Sequence, residues 1–151
     1  MKHFIFLFVM LFALNVSAQE YTIKCYCKQG SPILCTTLTI AERRIDYVLV
    51  DTGCSAVQLT YDDYVYLKAK GLISEKDFIR DAATHNSEKK TVMKKKYRLK
   101  DLIVGNMKLH DVTVLFDMNK DNDTRLLGMS VFTRFSEVTI DMKEKIIRLK
   151  L

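Results

Sequence analysis

Apolar and polar positions alternate in short runs along most of the chain, and the period of two marks strands. The alternation predicts strands over 21–28, 34–41, 45–50 and 57–59. A helix is predicted over 61–70, with Thr60 as N-cap, Asp63 completing a capping box and Gly71 ending it. Ser74 caps a second short turn through Phe78. Strands resume from Lys90, and Gly105-Asn106 between 101–104 and 107–109 reads as a hairpin turn whose second arm continues over 112–116.

The stretch 117–124 is polar and loop-like, 126–128 is a short strand, and Ser130 opens a brief helix through Phe135. Two last strands, 137–141 and 145–149, turn at 142–144. Many short strands with sparse helix imply an all-β chain with one or two short helices, closed or partly closed into a barrel. One proline and no low-complexity linker give no reason to divide it.

The opening residues break this pattern. Lys2 and His3 precede an unbroken apolar run over 4–14, and Ser17-Ala18 supply small residues for cleavage. The run is shorter than the roughly 20 residues a membrane-crossing helix needs. Residues 1–18 therefore read as a secretory signal peptide and 19–151 as one domain, exported to the periplasm or beyond and free of the membrane after cleavage.

Export makes disulfides possible for Cys25, Cys27, Cys35 and Cys54. Four cysteines allow three full pairings; a bond between Cys25 or Cys27 and Cys35 is the preferred one, because Cys25 and Cys27 on one strand face are badly placed for each other. A zinc site lacks both a Cys-x-x-Cys pair and a suitably spaced histidine.

Composition is ordinary for a globular chain of 151 residues, 48% hydrophobic and 28% charged. The formal net charge of +6 gathers at Lys89, Lys90, Lys94, Lys95, Lys96, Arg98 and Lys100. With Tyr97 as the only aromatic among them and no recognition-helix pattern, this run reads as a solvated hairpin face rather than a nucleic-acid surface. The segment 117–123 begins like a calcium loop, but Asn122 stands where glycine is required and Gly128 where a bidentate glutamate belongs, so no metal is expected. His85 and His110 accompany no nucleophile elbow.

The chemistry points to Asp51-Thr52-Gly53. Tyr47-Val48-Leu49-Val50 is a buried-strand run that delivers Asp51 to a strand-to-turn corner, with Ser55 just beyond. A strand fixes the acid, Gly53 permits the tight turn, and neighbouring amides can hydrogen-bond the carboxylate. Far downstream, Leu126-Leu127-Gly128 offers two apolar residues and a glycine beneath which another backbone can pass closely.

These two segments resemble the catalytic loop and the apolar-apolar-glycine segment of retropepsin-like aspartic proteases, particularly the small bacterial kind. The resemblance implies a retropepsin-like closed β-barrel, one lobe per chain, that hydrolyses peptide bonds without a cofactor. It further implies that Asp51 is catalytic, that Thr52 locks paired loops across a homodimer, and that a flap around Thr84, His85, Asn86 and Ser87 covers a peptide or protein substrate. Since the mechanism needs two carboxylates and the chain has one such triplet, the second Asp51 must come from a symmetry-related subunit. Family members carry alanine, serine or threonine where this chain has Cys54, an oxidisable thiol that is either a buried small residue or a redox switch. The competing function for the same fold is peptide capture or dimerisation without turnover.

Overall fold

A computed structural model describes residues 19–85 and 90–151. The proposed leader 1–18, and Asn86 and Ser87 of the expected flap, lie outside the described residues.

The predicted alternation becomes eleven strands and two short helices among the described residues. They are β1 (Glu20–Lys24), β2 (Tyr26–Cys27), β3 (Leu34–Ile40), β4 (Arg43–Val50), β5 (Val57–Leu59), α1 (Tyr61–Ala69), β6 (Phe78–His85), β7 (Thr91–Val104), β8 (Met107–Asp117), β9 (Arg125–Leu127), α2 (Met129–Phe132), β10 (Glu137–Asp141) and β11 (Ile146–Lys150). One sheet runs β2-β3-β4-β9-β5-β8-β7-β6, and an added pairing of β3 with β7, Leu38 opposite Val104, closes it into a barrel. A second sheet, β1-β11-β10, covers one side. The expected all-β barrel with two short helices is what the chain forms.

Inward residues of the closing strands, among them Leu38, Val48, Val57, Leu59, Leu99, Val114 and Leu127, fill the interior together with Ile147 and Leu149 of the covering sheet. Their burial supplies the main stabilising term. Local signals were obeyed closely at α1: the Thr60 hydroxyl accepts from Asp63 N at 3.2 Å, Thr60 N donates back to Asp63 at 3.2 Å, and Gly71 leaves the helix at φ +67°. Gly105 turns the β7–β8 hairpin at φ +59°, and a Cβ there would lie 2.4 Å from the Thr22 carbonyl oxygen. Close passage under β1 thus reinforces the need for glycine.

Four expectations are corrected. The single strand over 21–28 is two, because the chain changes sheets at Cys25, whose N–H donates to Lys145 O at 2.8 Å instead of extending β2. After a 3-10 turn at Glu75–Asp77, capped by Ser74 donating to Asp77, the chain forms the unforeseen strand β6. α2 starts one residue before Ser130, with Gly128 as N-cap, and ends at Phe132. Finally, all four cysteines are free rather than paired through Cys35. In the β2–β3 ladder it is Tyr26 that faces Cys35, while the Cys25 thiol points back to Ile23 O at 3.8 Å. Burial, with Cys35 and then Cys27 nearby, pushes the Cys25 pKa up to about 11.

Candidate active site

Strand β4 ends at Val50, and the next residue, Asp51, stays tied to the sheet by donating its N–H to Leu127 O at 3.1 Å. This extends the parallel β4–β9 pairing, in which Leu49 faces Leu126 and Val50 faces Leu127. The Asp51 carboxylate is half-buried, and its Oδ1 accepts the Gly53 N–H at 2.8 Å. A Cβ on Gly53 would stand 3.1 Å from that same oxygen, so the glycine lets the amide approach the acid without crowding it. The turn closes with Cys54 N donating to Asp51 O at 3.2 Å.

The second segment locks the first from below. Met129 N donates to Cys54 O at 2.8 Å, and a Cβ on Gly128 would fall 2.2 Å from Ala56 O and 2.6 Å from Cys54 O. No side chain fits there. Ser130 completes the clamp: its hydroxyl accepts Val57 N at 3.0 Å and donates to Thr113 O at 2.9 Å, joining α2 to β5 and β8. Its part was missed in the sequence because a serine near a helix start reads as a cap.

Asp51, Gly53, Cys54 and Ser55 open onto a cleft of about 710 Å³. Thr84 and His85 at the end of β6 line its other wall, so the structure brings the described part of the expected flap and the Asp51 loop to one cavity. Leu126 also reaches the cleft, Leu127 is fully buried beneath it, and Thr52 is exposed at the tip of the loop. The Cys54 thiol donates to Ala56 O at 3.1 Å, within its own turn. His110 lies elsewhere, with Nδ1 2.6 Å from Asp101 Oδ1.

The floor of the cleft holds residues that the sequence reading left on the surface. Lys94, from the basic run, turns inward and donates to Gln58 Oε1, and Gln58 Nε2 donates to Thr124 O at 3.2 Å. Asp117 is only 2% exposed, not part of a solvated loop, and its oxygens accept Asn119 N at 2.9 Å and Asn122 Nδ2 at 2.8 Å. Among the described residues no group of three or more potential ligands is placed to hold a metal ion.

Behind the site, Asp63 of α1 is fully buried against Arg125 and Arg43, at 2.7 and 2.9 Å. Burial alone would raise its pKa, but hydrogen bonds from Arg125 and Thr60 outweigh it and hold the carboxyl below its ordinary value. The carboxylate thus remains charged and ties α1 to the first residue of β9.

Residues 36–134 match the family described as "gag-polyprotein putative aspartyl protease". Among solved structures, the crystal structure of a retropepsin-like aspartic protease from Rickettsia conorii superposes with a TM-score of 0.57. It is 20% identical, with 88% of this chain and 90% of that chain covered, a likeness of fold. No curated protein matches the chain.

Proposed function

The chain belongs to the gag-polyprotein aspartyl protease family, and from that premise we propose that it is an endopeptidase whose active site forms between the Asp51 residues of two identical subunits. The observation that carries this reading is the Asp51 carboxylate, held by the Gly53 amide at 2.8 Å at the edge of an open cleft. With the two loops facing across a two-fold axis, the carboxylates share one proton, since like charges at such range do not both ionise readily. The ionised one takes a proton from water as its oxygen attacks the peptide carbonyl carbon. The protonated one donates its proton to the carbonyl oxygen. As the C–N bond breaks, the leaving nitrogen takes the proton that the first carboxylate received from water, and the hydroxyl made from the carbonyl returns a proton to the second. Thr52 at the loop tip braces the paired loops, and Thr84 and His85 flank the bound peptide.

The test is turnover of peptide substrates by the purified protein beside Asp51→Asn, with subunit number from sedimentation. Cleavage by a dimer, abolished in the variant, is expected. An active strict monomer would overturn the shared dyad, and peptide binding without turnover would favour the non-catalytic peptide-binding or dimerisation module. Export to the periplasm or the extracellular space goes with this proposal, supported by the apolar run within 1–18. N-terminal sequencing of the protein recovered outside the cytoplasm should begin at Gln19, and retention of the uncut chain inside would refute it.

A further inference from the structure

We propose that Lys94 makes one side of the cleft a subsite for an acidic substrate side chain, glutamate or aspartate; the proposal rests on the peptidase reading for what occupies the cleft. Lys94 of β7 stands opposite Asp117 of β8, so the two side chains leave the sheet on one face, toward the cavity that also holds Asp51. The polar groups around them are already engaged. Asp117 spends both oxygens on Asn119 N and Asn122 Nδ2, while Asn122 Oδ1 accepts Thr124 N at 3.0 Å. Gln58, 3% exposed, gives its Nε2 to Thr124 O and its Oε1 to Lys94.

What remains is the ammonium itself. It carries three donors, and the acceptor it meets is the neutral Gln58 amide, not a carboxylate. A half-buried cation with donors to spare is where an incoming carboxylate forms a charge-assisted hydrogen bond, the stronger kind, without displacing Gln58. Asp117 is 2% exposed and each of its oxygens already accepts a hydrogen bond, from Asn119 or Asn122, so it presents little surface to a basic side chain. Leu115 and Leu126 of the same cavity give the carboxylate's methylene groups an apolar wall. A lysine or arginine placed there would meet the Lys94 ammonium, and a glutamine would lose the charge-assisted part of the bond.

Sequencing the products of a random peptide library measures the preference directly. The wild-type protein should enrich glutamate or aspartate about tenfold at one position near the cut. Lys94→Met should lose that enrichment, Lys94→Arg should keep it, and Lys94→Glu should turn it toward lysine and arginine. Cleavage with no acidic preference at any position overturns the subsite and leaves the peptidase reading standing. Should no peptide be cut, the peptidase reading fails, and binding decides the subsite alone. In that measurement Ala-Ala-Glu-Ala and Ala-Ala-Gln-Ala are titrated while the Gln58 side-chain amide is followed by NMR. About tenfold tighter binding of the glutamate peptide, lost in Lys94→Met, supports the subsite, and equal binding overturns it.

Discussion

Arg125 grips Asp63 through two bonds, Nε to Oδ2 at 2.7 Å and Nη2 to Oδ1 at 3.2 Å, and Asp63 is wholly buried. The fork couples a helix cap to the strand that supports the Asp51 loop, since Arg125 faces Val48 in the β4–β9 pairing and Leu126 follows at once. Arg43 adds a second cation at 2.9 Å and lies 4.3 Å from the centre of the Tyr66 ring. Removing Arg125 takes both of its bonds from a buried carboxylate and leaves it Arg43 and Thr60, which is costlier than losing both partners together.

Arg125→Met is therefore expected to lower stability by about 2–4 kcal/mol, the lower end reflecting the partial exposure of the arginines and the presence of Arg43. Urea unfolding followed by circular dichroism checks this. A change below about 0.5 kcal/mol would show that Arg43 alone suffices.

The same carboxylate sets an acid limit. Its folded pKa is depressed below the unfolded value, so its contribution is fully present above the ordinary carboxyl range and is lost as pH falls through the folded pKa. Wild type should lose stability on acidification below roughly pH 4, and Asp63→Asn should show a shallower loss over that window. Thermal unfolding at several pH values compares the two slopes; equal slopes would assign the acid sensitivity to other groups.

Gly128→Ala should be severe. The new Cβ would press on two backbone carbonyls, of Ala56 and Cys54, neither of which can swing away as a side-chain tip could. A loss of about 3 kcal/mol is expected, with peptide turnover falling further than the loss of folded protein explains. Wild-type stability in this variant would mean that the two segments do not press together as described.

Ser130→Ala removes an acceptor from the Val57 amide and a donor to Thr113 O, both in the barrel wall. Leaving a buried N–H unmatched costs about 1–3 kcal/mol. Ser130→Thr keeps the hydroxyl and should recover part of that loss, and urea midpoints of the three proteins decide.

Cys54→Ser should retain turnover within about threefold, because a hydroxyl can take over the bond to Ala56 O. Loss of turnover in Cys54→Ser, or a wild-type rate that follows oxidant and reductant, would give the thiol a regulatory part.

Much of the frame could be read from residues whose effect is local. Thr60 with Asp63, Gly71, and Gly105-Asn106 act within a few positions of themselves, and the structure keeps each of them. The two segments of the candidate site were legible because an apolar strand ending in Asp51-Thr52-Gly53 and a downstream Gly128 mark a strand end and a close passage, although the run is not buried as expected: of 47–50 only Val48 is buried, and Tyr47 is 61% exposed. What stayed hidden depends on partners far along the chain. Strand β6 sets its apolar residues side by side, Phe78-Ile79 and Ala82-Ala83, instead of alternating them, and is held by cross-strand pairs such as Asp81 with Lys95, at 3.7 Å, and Phe78 against Tyr97. The break at Cys25 comes from a bond to Lys145, with no proline or glycine there to mark it. The inward turn of Lys94 was masked by the charges beside it, since a basic run gives no sign of which member faces the interior.

The β1–β11 ladder, in which Glu20 faces Lys150, joins the earliest and the latest strands of the described chain. No part of that sheet can zip until its last strand has been made, so the order of synthesis works against early closure. Long-range pairing of this kind slows folding, because loop entropy is lost before the contacts repay it. A newborn chain thus spends its synthesis with Glu20–Lys24 lacking its ladder partner, a bare edge at the very start of the described chain.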